Sequence, residues 1–192
     1  MKIAITGGLS CGKSKVAEIL KKKKYTVLNA DDIYKELLKS SSILKEKIIR
    51  LFGKDILRQG VISQKLLRQK VFSKKGYLEK ISQITHPFII SSLKKKLRLY
   101  GYKKKTIFVE IPLLFELNLE KLFDRVVVIS SSKKLIFSRA KRKGYTLKMI
   151  KTIINQQMDL KDKEKRGDYV IRNNYSLFVL RKNIDLMLED LM

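Results

Sequence analysis

The chain is poor in the residues that form disulfides and bind transition metals. It contains one cysteine, Cys11, and one histidine, His86. A single cysteine excludes an internal disulfide framework and a cysteine-based zinc site. A single histidine excludes a metal centre built from several imidazoles. Disulfide-stabilised and zinc-dependent folds of these kinds are therefore excluded.

Long apolar runs and an N-terminal signal are also missing. No stretch approaches the ~18 consecutive apolar residues that a transmembrane helix requires. The first residues, MKIAIT, lead directly into a motif described below, so we expect no signal peptide. These observations predict a soluble protein of the reducing cytoplasm.

Acidic residues are scarce relative to basic ones. The chain has 18 Asp and Glu against 44 Lys and Arg, which gives a formal net charge of +26. A strongly basic surface attracts polyanions such as nucleic acid, acidic lipid or phosphorylated small molecules. The lysines are scattered along the whole chain, so a compositional bias explains the charge equally well. The charge therefore leaves the partner open.

Length and hydrophobic content predict one domain with its own core. The chain has 192 residues, of which 44% are hydrophobic, and this suits a single domain over residues 1–192. Continuous apolar runs predict five buried strands, at residues 3–6, 26–28, 106–111, 125–130 and 169–172. Such strands, separated by helices, indicate an α/β fold with a parallel sheet covered by helices.

Two stretches between the predicted strands are too long to be simple crossovers. Helical periodicity runs from about residue 33 to residue 100, with a break or bend expected near His86 and Pro87. A basic helical stretch follows from about residue 135 to residue 166. We therefore expect one helical insertion beside the sheet and a second, basic one.

A glycine-rich motif follows the first predicted strand. Residues 7–14 read GGLSCGKS and match G-x-x-x-x-G-K-[ST] without a gap. The glycines let backbone N–H groups approach phosphates closely, and the following helix offers the positive end of its dipole. Lys13 can reach the β- and γ-phosphates, and Ser14 can place its hydroxyl on Mg²⁺. The strand–loop–helix context predicts a phosphate-binding loop.

Two carboxylates follow other predicted strands. Asp31 lies after the second strand, where it can orient or deprotonate an acceptor hydroxyl. It can equally cap the helix that begins near Ile33. Glu110 ends the third strand, where it can bind Mg²⁺ through water or simply precede the proline that stops the strand. Both alternatives remain open for each residue.

The size of the chain and its second insertion favour a small-molecule kinase. The chain has no N-K-x-D guanine-recognition motif and is too short for a typical multi-module ATPase motor. A small kinase needs an acceptor site and a closing lid, whose basic residues neutralise the transferring phosphoryl group. A solvated helix face is the alternative. The residues in question are Arg139, Arg142, Lys143, Gln157, Lys161, Lys163 and Arg166.

These motifs resemble those of the dephospho-CoA kinase family, in order along almost the whole chain. The matching segments are TGGL and GKS within residues 6–14, NAD at 29–31, HP at 86–87, PLLFE at 112–116 and GDYVIRN at 167–173. The resemblance implies a P-loop kinase fold with three parts. These are a nucleotide-binding core (about 1–30, 105–132 and 167–192), a helical substrate-binding insertion (about 31–104) and a basic lid (about 133–166).

The resemblance also implies a reaction. The γ-phosphoryl group of ATP moves to the 3′-hydroxyl of dephospho-CoA with Mg²⁺, giving CoA and ADP in the last step of coenzyme A synthesis. Another nucleoside or nucleotide kinase is a rival within enzymes. A basic nucleic-acid-binding protein that has kept the loop is a rival from another class, although nucleic acid is not expected as a specific ligand.

Roles for individual residues follow from the resemblance. Asp31 is implied as the general base or hydroxyl-orienting group, and Lys13 and Arg139 as cations acting on the phosphoryl group. Mg²⁺ is implied at Ser14 and, through water, at Glu110. The acceptor site is implied to include Asp31, Lys35, His86 and Leu114, although His86 is equally well a turn residue before Pro87. The ATP site is implied at Gly8, Leu9, Ser10, Cys11, Gly12, Lys13, Ser14, Lys15, Arg142 and Asn173, with Asn173 near the adenine.

The chain departs from the family pattern at several positions. Asn29 replaces the first acid of D-A-D, which removes a negative charge near the metal. Lys15 replaces a threonine after Ser14, and Gln64 stands where the family often has arginine. None of these changes removes Lys13 or Ser14, so we expect activity with an altered acceptor affinity.

Cys11 carries a separate hypothesis. It precedes a predicted helix N-terminus, where a thiolate is favoured. The sequence therefore predicts a reactive thiol inside the loop, with a small residue that merely fits the turn as the alternative.

Overall fold

The computed structural model describes residues 1–101 and 105–191. In chain order, its strands are β1 (Lys2–Gly7), β2 (Thr26–Asn29), β3 (Leu57–Arg58), β4 (Val61–Ile62), β5 (Ile107–Glu110), β6 (Arg125–Ser130) and β7 (Tyr169–Arg172). Its α-helices are α1 (Lys13–Lys22), α2 (Ala30–Ser40), α3 (Ser42–Phe52), α4 (Gln64–Ser73), α5 (Tyr77–Gly101), α6 (Lys133–Arg142), α7 (Leu147–Asn155), α8 (Leu160–Arg166) and α9 (Leu177–Leu191). The chain forms two compact units, Ala30–Leu99 and a sheet unit made of Met1–Asn29 and the chain from Tyr100 onward.

A five-stranded parallel sheet organises the sheet unit. Its strand order is β2-β5-β1-β6-β7, and every neighbouring pair is parallel. The central strand β1 is apolar on both faces, and Ile3, Ala4 and Ile5 are fully buried. The predicted strands and parallel sheet are confirmed. Because ligands of such sheets bind beyond the carboxyl ends of the strands, β1 delivers the loop after Gly7 to the functional edge.

Helices α1 and α9 pack against this sheet through helical-period stripes of apolar side chains. In α1 the buried stripe includes Val16 and Leu20, and in α9 it includes Leu180, Ile184 and Met187. Burial of each such side chain stabilises the fold by about 1.5–3 kcal/mol relative to leaving it exposed. The sheet thereby fixes the helix that begins directly after the glycine-rich loop.

The Ala30–Leu99 unit is mainly helical and has a second apolar core. Leu44, Ile48 and Phe52 of α3 point into it, as their spacing predicts. Helices α3 and α4 begin at serine caps: the Ser41 hydroxyl accepts from the Leu44 N–H, and the Ser63 hydroxyl accepts from the Leu66 N–H. This core makes the unit a packed body of its own.

Two features of this unit differ from the sequence prediction. Strands β3 and β4 form a small antiparallel hairpin within the stretch predicted as helical. Its two turn residues, Gln59 and Gly60, have φ of 49° and 76°, the positive values that a two-residue hairpin loop requires. Of the break or bend predicted near His86 and Pro87, the break is wrong, because α5 continues through Pro87. Proline removes one hydrogen bond, and the remaining turns of this long helix keep it continuous.

Candidate functional site

The glycine-rich loop makes a tight turn between β1 and α1. Gly7 has φ of 140°, and a Cβ atom there would lie 1.9 Å from the Ile129 carbonyl oxygen of β6. Gly12 has φ of 107° and stands at the N-cap of α1, where no described side chain caps the helix. Orphan N–H groups at a helix N-terminus attract anions. The loop therefore has the backbone geometry of a phosphate site.

Lys13 lies folded back over this loop. Its side chain is 7% exposed, and its Nζ donates to the carbonyl oxygens of Gly7 at 3.0 Å and Gly8 at 2.8 Å. These contacts hold the ammonium group within the turn that the glycines make. Two main-chain oxygens of the loop thus position the Lys13 ammonium group.

A short hydrogen-bond chain joins the loop to β5 and β2. The Ser14 hydroxyl donates to Glu110 Oε1 at 3.0 Å, and the Asn29 amide donates to Glu110 Oε2 at 2.6 Å. Strands β2 and β5 are paired with Asn29 opposite Glu110, so the register of the sheet sets this contact. The Asn29 amide therefore donates a hydrogen bond to the Glu110 carboxylate. An ionised aspartate at position 29, as in the family pattern, would repel that carboxylate.

The same groups suit a magnesium ion. Mg²⁺ prefers oxygen ligands and in kinases is bound by one or two protein groups together with phosphate oxygens and waters. Ser14 and Glu110 place a hydroxyl and a carboxylate side by side, and both line one cavity. The donor set therefore fits the ion predicted from the sequence.

A cavity of about 780 Å³ opens beside the loop. The predicted site residues that meet there are Ser10, Gly12, Lys13, Ser14, Lys15, Glu110, Arg139, Arg142 and Asn173. With Lys143, the lining has five cationic side chains and one carboxylate. A concave site with this excess of positive charge concentrates polyanions such as nucleotide phosphates.

Arg139 and Asn173 are fixed at the edge of this cavity. Arg139 of α6 donates to the Ser131 hydroxyl at 3.1 Å and to the Asn173 carbonyl oxygen at 3.0 Å. Asn173 follows β7, and its side-chain amide donates to the Cys11 carbonyl oxygen at 2.8 Å. Asn173 thus contacts the loop directly, and Arg139 contacts Asn173.

Sequence reasoning missed the apolar wall of the cavity. Tyr175, Leu177 and Leu180 also line it, and Tyr175 and Leu177 are 72% and 41% exposed. In the sequence, the only sign of this wall was an aromatic residue, Tyr175, two positions after the predicted site residue Asn173. Such a wall suits the flat, apolar faces of a nucleobase.

Gly8 and Leu9 face a different cavity of the sheet unit, of about 600 Å³. It is lined mainly by α6, α7 and the start of α8, including Phe137, Ile154 and Leu160. The Leu9 N–H donates to the Gln157 side-chain oxygen at 3.1 Å. Gln157, a residue of the basic stretch, therefore contacts the loop directly.

Cys11 is not the reactive thiol that its position suggested. It is fully buried, and burial raises the pKa of its thiol, with the nearby Lys13 ammonium opposing the rise only in part. A helix N-terminus favours a thiolate only where solvent or a cation offsets the cost of burying the charge. Cys11 is therefore a core residue of the turn.

We expect Cys11 to resist alkylation in the folded protein. At pH 7 to 8 the thiolate is scarcer than in the unfolded chain, because the folded pKa is raised. Iodoacetamide modification followed by mass spectrometry should be slow in buffer and fast in urea, where the same single cysteine is exposed. Rapid modification of the native protein would contradict this assignment.

Lys163 is also placed differently from the sequence prediction. It is fully buried, and its Nζ contacts Glu116 Oε1 at 2.7 Å and the Pro112 carbonyl oxygen at 2.9 Å. Glu116 also accepts from the Met158 N–H at 2.8 Å. Lys163 therefore ties α8 to the segment after β5 and is not a cation of a solvated lid face.

Replacing Lys163 by methionine should lower the free energy of unfolding by about 1–3 kcal/mol, because the Glu116 carboxylate loses a charged donor while largely buried. Urea denaturation measures the change. Lys165→Met is the matched control on the same helix, since Lys165 is 78% exposed, and its stability should stay close to that of the wild type. Equal stability of the Lys163 variant and the wild type would argue against a structural role for the pair.

The Ala30–Leu99 unit has its own cavity, of about 400 Å³. Asp31, Tyr34, Arg68 and His86 line it together with apolar side chains of α4 and α5. Burial lowers the pKa of His86 and raises the pKa of Tyr34 to about 12, so both side chains are neutral at pH 7. The lining of this cavity combines one carboxylate, one guanidinium, neutral hydrogen-bonding groups and apolar side chains.

Two predicted acceptor residues lie elsewhere. Lys35 is exposed and pairs with Asp32 at 2.8 Å, and this contact raises the pKa of the Lys35 ammonium. Leu114 is fully buried in the sheet unit. Its side chain packs in the interior, so its role in this structure is one of packing.

The dephospho-CoA kinase family model matches residues 1–178 of the chain. The chain belongs to the dephospho-CoA kinase family. The dephospho-CoA kinase of Bdellovibrio bacteriovorus is 34% identical over 97% of this chain and 94% of its own length. That of Fusobacterium nucleatum is 35% identical over 98% of this chain and 97% of its own length.

Solved structures agree with this family assignment. The chain is similar to the dephospho-CoA kinase from Campylobacter jejuni, with a TM-score of 0.72 and 29% identity over 99% of this chain and 97% of that one. Shikimate kinase from Acinetobacter baumannii has a TM-score of 0.56 at 13% identity, covering 100% and 94% of the two chains, which shows the fold alone. The predicted P-loop kinase fold and the predicted family are confirmed.

The family assignment settles the choice of class left open by the sequence. A dephospho-CoA kinase is a transferase, so the rival interpretation as a nucleic-acid-binding protein is not favoured. Within residues 1–101 and 105–191, no helix combines the length and the apolar character needed to span a bilayer.

Proposed function

We propose that this chain transfers the γ-phosphoryl group of ATP to the 3′-hydroxyl of dephospho-CoA, giving CoA and ADP, in the cytoplasm. The observation that carries the proposal is the cavity of about 780 Å³, where the phosphate loop, five cations and the Ser14–Glu110 pair meet in a chain of this family. The charge excess suits ATP, and the apolar wall suits its base.

Lys13 and the arginines act on the phosphates. The Lys13 ammonium now donates to two loop carbonyls, and phosphate oxygens replace these acceptors when the nucleotide binds. Arg139 and Arg142 line the same cavity and stabilise negative charge that spreads over the transferring group. The backbone N–H groups at the start of α1 hold the remaining phosphate oxygens.

Ser14 and Glu110 would hold Mg²⁺, with the Ser14 hydroxyl and, as the family resemblance implies, the Glu110 carboxylate through water as its protein partners. When bound, Mg²⁺ would neutralise part of the negative charge on the phosphates. Asn29 keeps the Glu110 carboxylate in place through its amide, at 2.6 Å from Oε2. This arrangement leaves the site with one carboxylate, where the family pattern has two.

The cavity of the Ala30–Leu99 unit takes part of the acceptor. Arg68 suits an anionic group of dephospho-CoA, and the apolar lining suits its uncharged portions. Asp31 orients the 3′-hydroxyl and accepts its proton as the oxygen attacks the γ-phosphorus. The bond from that phosphorus to the bridging oxygen breaks, and ADP leaves with the electron pair.

Product analysis with rival acceptors tests the proposal. The protein is incubated with Mg-ATP and dephospho-CoA, adenosine or AMP, and products are identified by mass. Selective formation of CoA is expected. Turnover with adenosine or AMP alone would keep the kinase assignment and overturn the substrate, and no turnover with any acceptor would overturn both.

A further inference from the structure

Asn173 makes an unusual long-range contact with the phosphate loop. It follows β7, is 8% exposed, and donates from Nδ2 to the Cys11 carbonyl oxygen at 2.8 Å. The two residues are 162 positions apart in the chain, so only the fold brings them together. The contact is buried, where a hydrogen bond is stronger and its loss more costly than at the surface.

The main chain of Asn173 is itself fixed. Its N–H donates to the Ser130 carbonyl oxygen at 2.8 Å, which extends the pairing of β7 with β6. Its carbonyl oxygen accepts from the Ser131 hydroxyl and from Arg139, each at 3.0 Å. The side-chain amide is therefore presented to the loop from a rigid base in the sheet.

The loop is shaped to receive this amide. A Cβ atom on Gly12 would lie 2.1 Å from Asn173 Nδ2, so the amide packs directly against the Gly12 main chain. A glycine at this position is required both by the positive φ of 107° and by the closeness of Asn173. The two residues form a matched pair.

Because a peptide bond is planar, the contact of Asn173 with the Cys11 carbonyl oxygen also sets the direction of the Gly12 N–H. The Cys11 carbonyl and the Gly12 N–H belong to one planar trans peptide, in which the two groups point in opposite directions. A carbonyl held by Asn173 therefore also fixes the direction of the Gly12 N–H. Gly12 lines the cavity that holds the Ser14–Glu110 pair.

We propose that Asn173 is a positioning residue that orients the Cys11–Gly12 peptide so that the Gly12 N–H binds a phosphate of the nucleotide. This inference rests on the proposed function, because it takes a nucleotide phosphate as the ligand. It differs from the role implied by family resemblance, in which Asn173 lies near the adenine. Tyr175 and Leu177 provide the surface suited to the base, while the Asn173 amide is engaged with the loop.

Two partial ligands separate these roles. Inorganic tripolyphosphate has the phosphates without the base, and adenosine has the base without the phosphates. Their dissociation constants are measured by ¹H–¹⁵N NMR titration in the presence of Mg²⁺, which also reports the Gly12 amide directly. Asn173→Ala should weaken tripolyphosphate binding about tenfold, the scale of a lost buried hydrogen bond, and leave adenosine binding unchanged.

A second variant and a control complete the experiment. Asn173→Asp keeps the shape but turns the donor into an anionic acceptor facing the Cys11 carbonyl, so it should weaken tripolyphosphate binding further. Asn174→Ala is the control. The Asn174 side chain accepts from the Ser131 hydroxyl and from the Ser132 N–H, whereas the contacts with Cys11 and Gly12 belong to Asn173. The control variant should bind tripolyphosphate as the wild type does, and thermal unfolding confirms that each variant is folded.

Each other outcome has a distinct meaning. Unchanged tripolyphosphate binding in both Asn173 variants, with an unchanged Gly12 amide, would overturn the inference and leave the proposed function intact. A selective loss of adenosine binding would restore the role at the adenine. Failure of the wild type both to bind tripolyphosphate and to form CoA from Mg-ATP and dephospho-CoA would overturn the proposed function itself, whereas CoA formation without tripolyphosphate binding would overturn only this inference.

Discussion

Replacing Lys13 by alanine should lower kcat by roughly 100- to 1000-fold, the range seen when one donor to developing charge is removed. The reason is that Lys13 is the buried cation of the loop, held at 3.0 Å and 2.8 Å from the carbonyl oxygens of Gly7 and Gly8. We expect the fold to survive, because other side chains of α1, such as Val16 and Leu20, form its part of the apolar core. Steady-state kinetics with Mg-ATP and dephospho-CoA measures the loss.

A second lysine of the same helix provides the control for this variant. Lys22 is 68% exposed at the end of α1 and pairs with Glu18 at 3.4 Å. Lys22→Ala has the same change of charge and should keep wild-type turnover. Wild-type kcat in the folded Lys13 variant would mean that the loop does not act on the transferring phosphoryl group.

Replacing Asp31 by asparagine should reduce phosphoryl transfer by about 100-fold or more while ADP binding changes little. A general base contributes about 10²- to 10⁴-fold, and asparagine keeps the shape of the side chain but cannot accept the proton. Asp31 lines the cavity of the Ala30–Leu99 unit, whereas the phosphate loop belongs to the sheet unit. Transfer is measured by kcat, and ADP affinity by calorimetry.

The neighbouring carboxylate makes a close control. Asp32 is 61% exposed and pairs with Lys35, and it does not belong to the lining of that cavity. Asp32→Asn should therefore retain turnover. A loss of ADP affinity with normal transfer in Asp31→Asn would show that the role proposed for Asp31 is wrong.

The parts of the site that the sequence predicts are those encoded by neighbouring residues. The loop, Lys13 and Ser14 follow from one contiguous motif, since the same turn and helix N-terminus recur wherever these residues follow a buried strand. Glu110 follows because it ends a strongly apolar strand, and parallel strands bring their carboxyl ends to one edge. Local sequence pattern and sheet topology therefore suffice to predict which residues form the loop side of the cavity.

The residues that the sequence does not predict act through tertiary contacts. Lys163 lies in the charged helix LKDKEKR and would be expected in solvent, yet the packing of α8 buries it against Glu116, 47 residues earlier in the chain. The amide of Asn173 reaches Cys11 only because β7 lies beside β6, which lies beside β1. The residues near such a side chain in the sequence do not indicate which distant residue it contacts.

The fold shows the same division. Apolar runs predict the buried strands of the sheet, because both faces of a parallel sheet are covered. The hairpin β3–β4 was missed because its strands are two residues long, too short for any alternation to appear. Pro87 suggested a break or bend in the helical stretch, but α5 is continuous there, with Ile81 buried before the proline and Leu93 and Leu97 buried after it.

The most direct measurement follows the phosphoryl group itself. The protein is given ATP whose γ-phosphoryl oxygens are isotopically heavy, with Mg²⁺ and dephospho-CoA, and the product is examined by mass spectrometry and ³¹P NMR. The account predicts CoA that carries the heavy phosphoryl group as a monoester on the 3′-oxygen, together with unlabelled ADP. A heavy phosphoryl group at any other position of the acceptor, or recovery of all the label as inorganic phosphate, would contradict it.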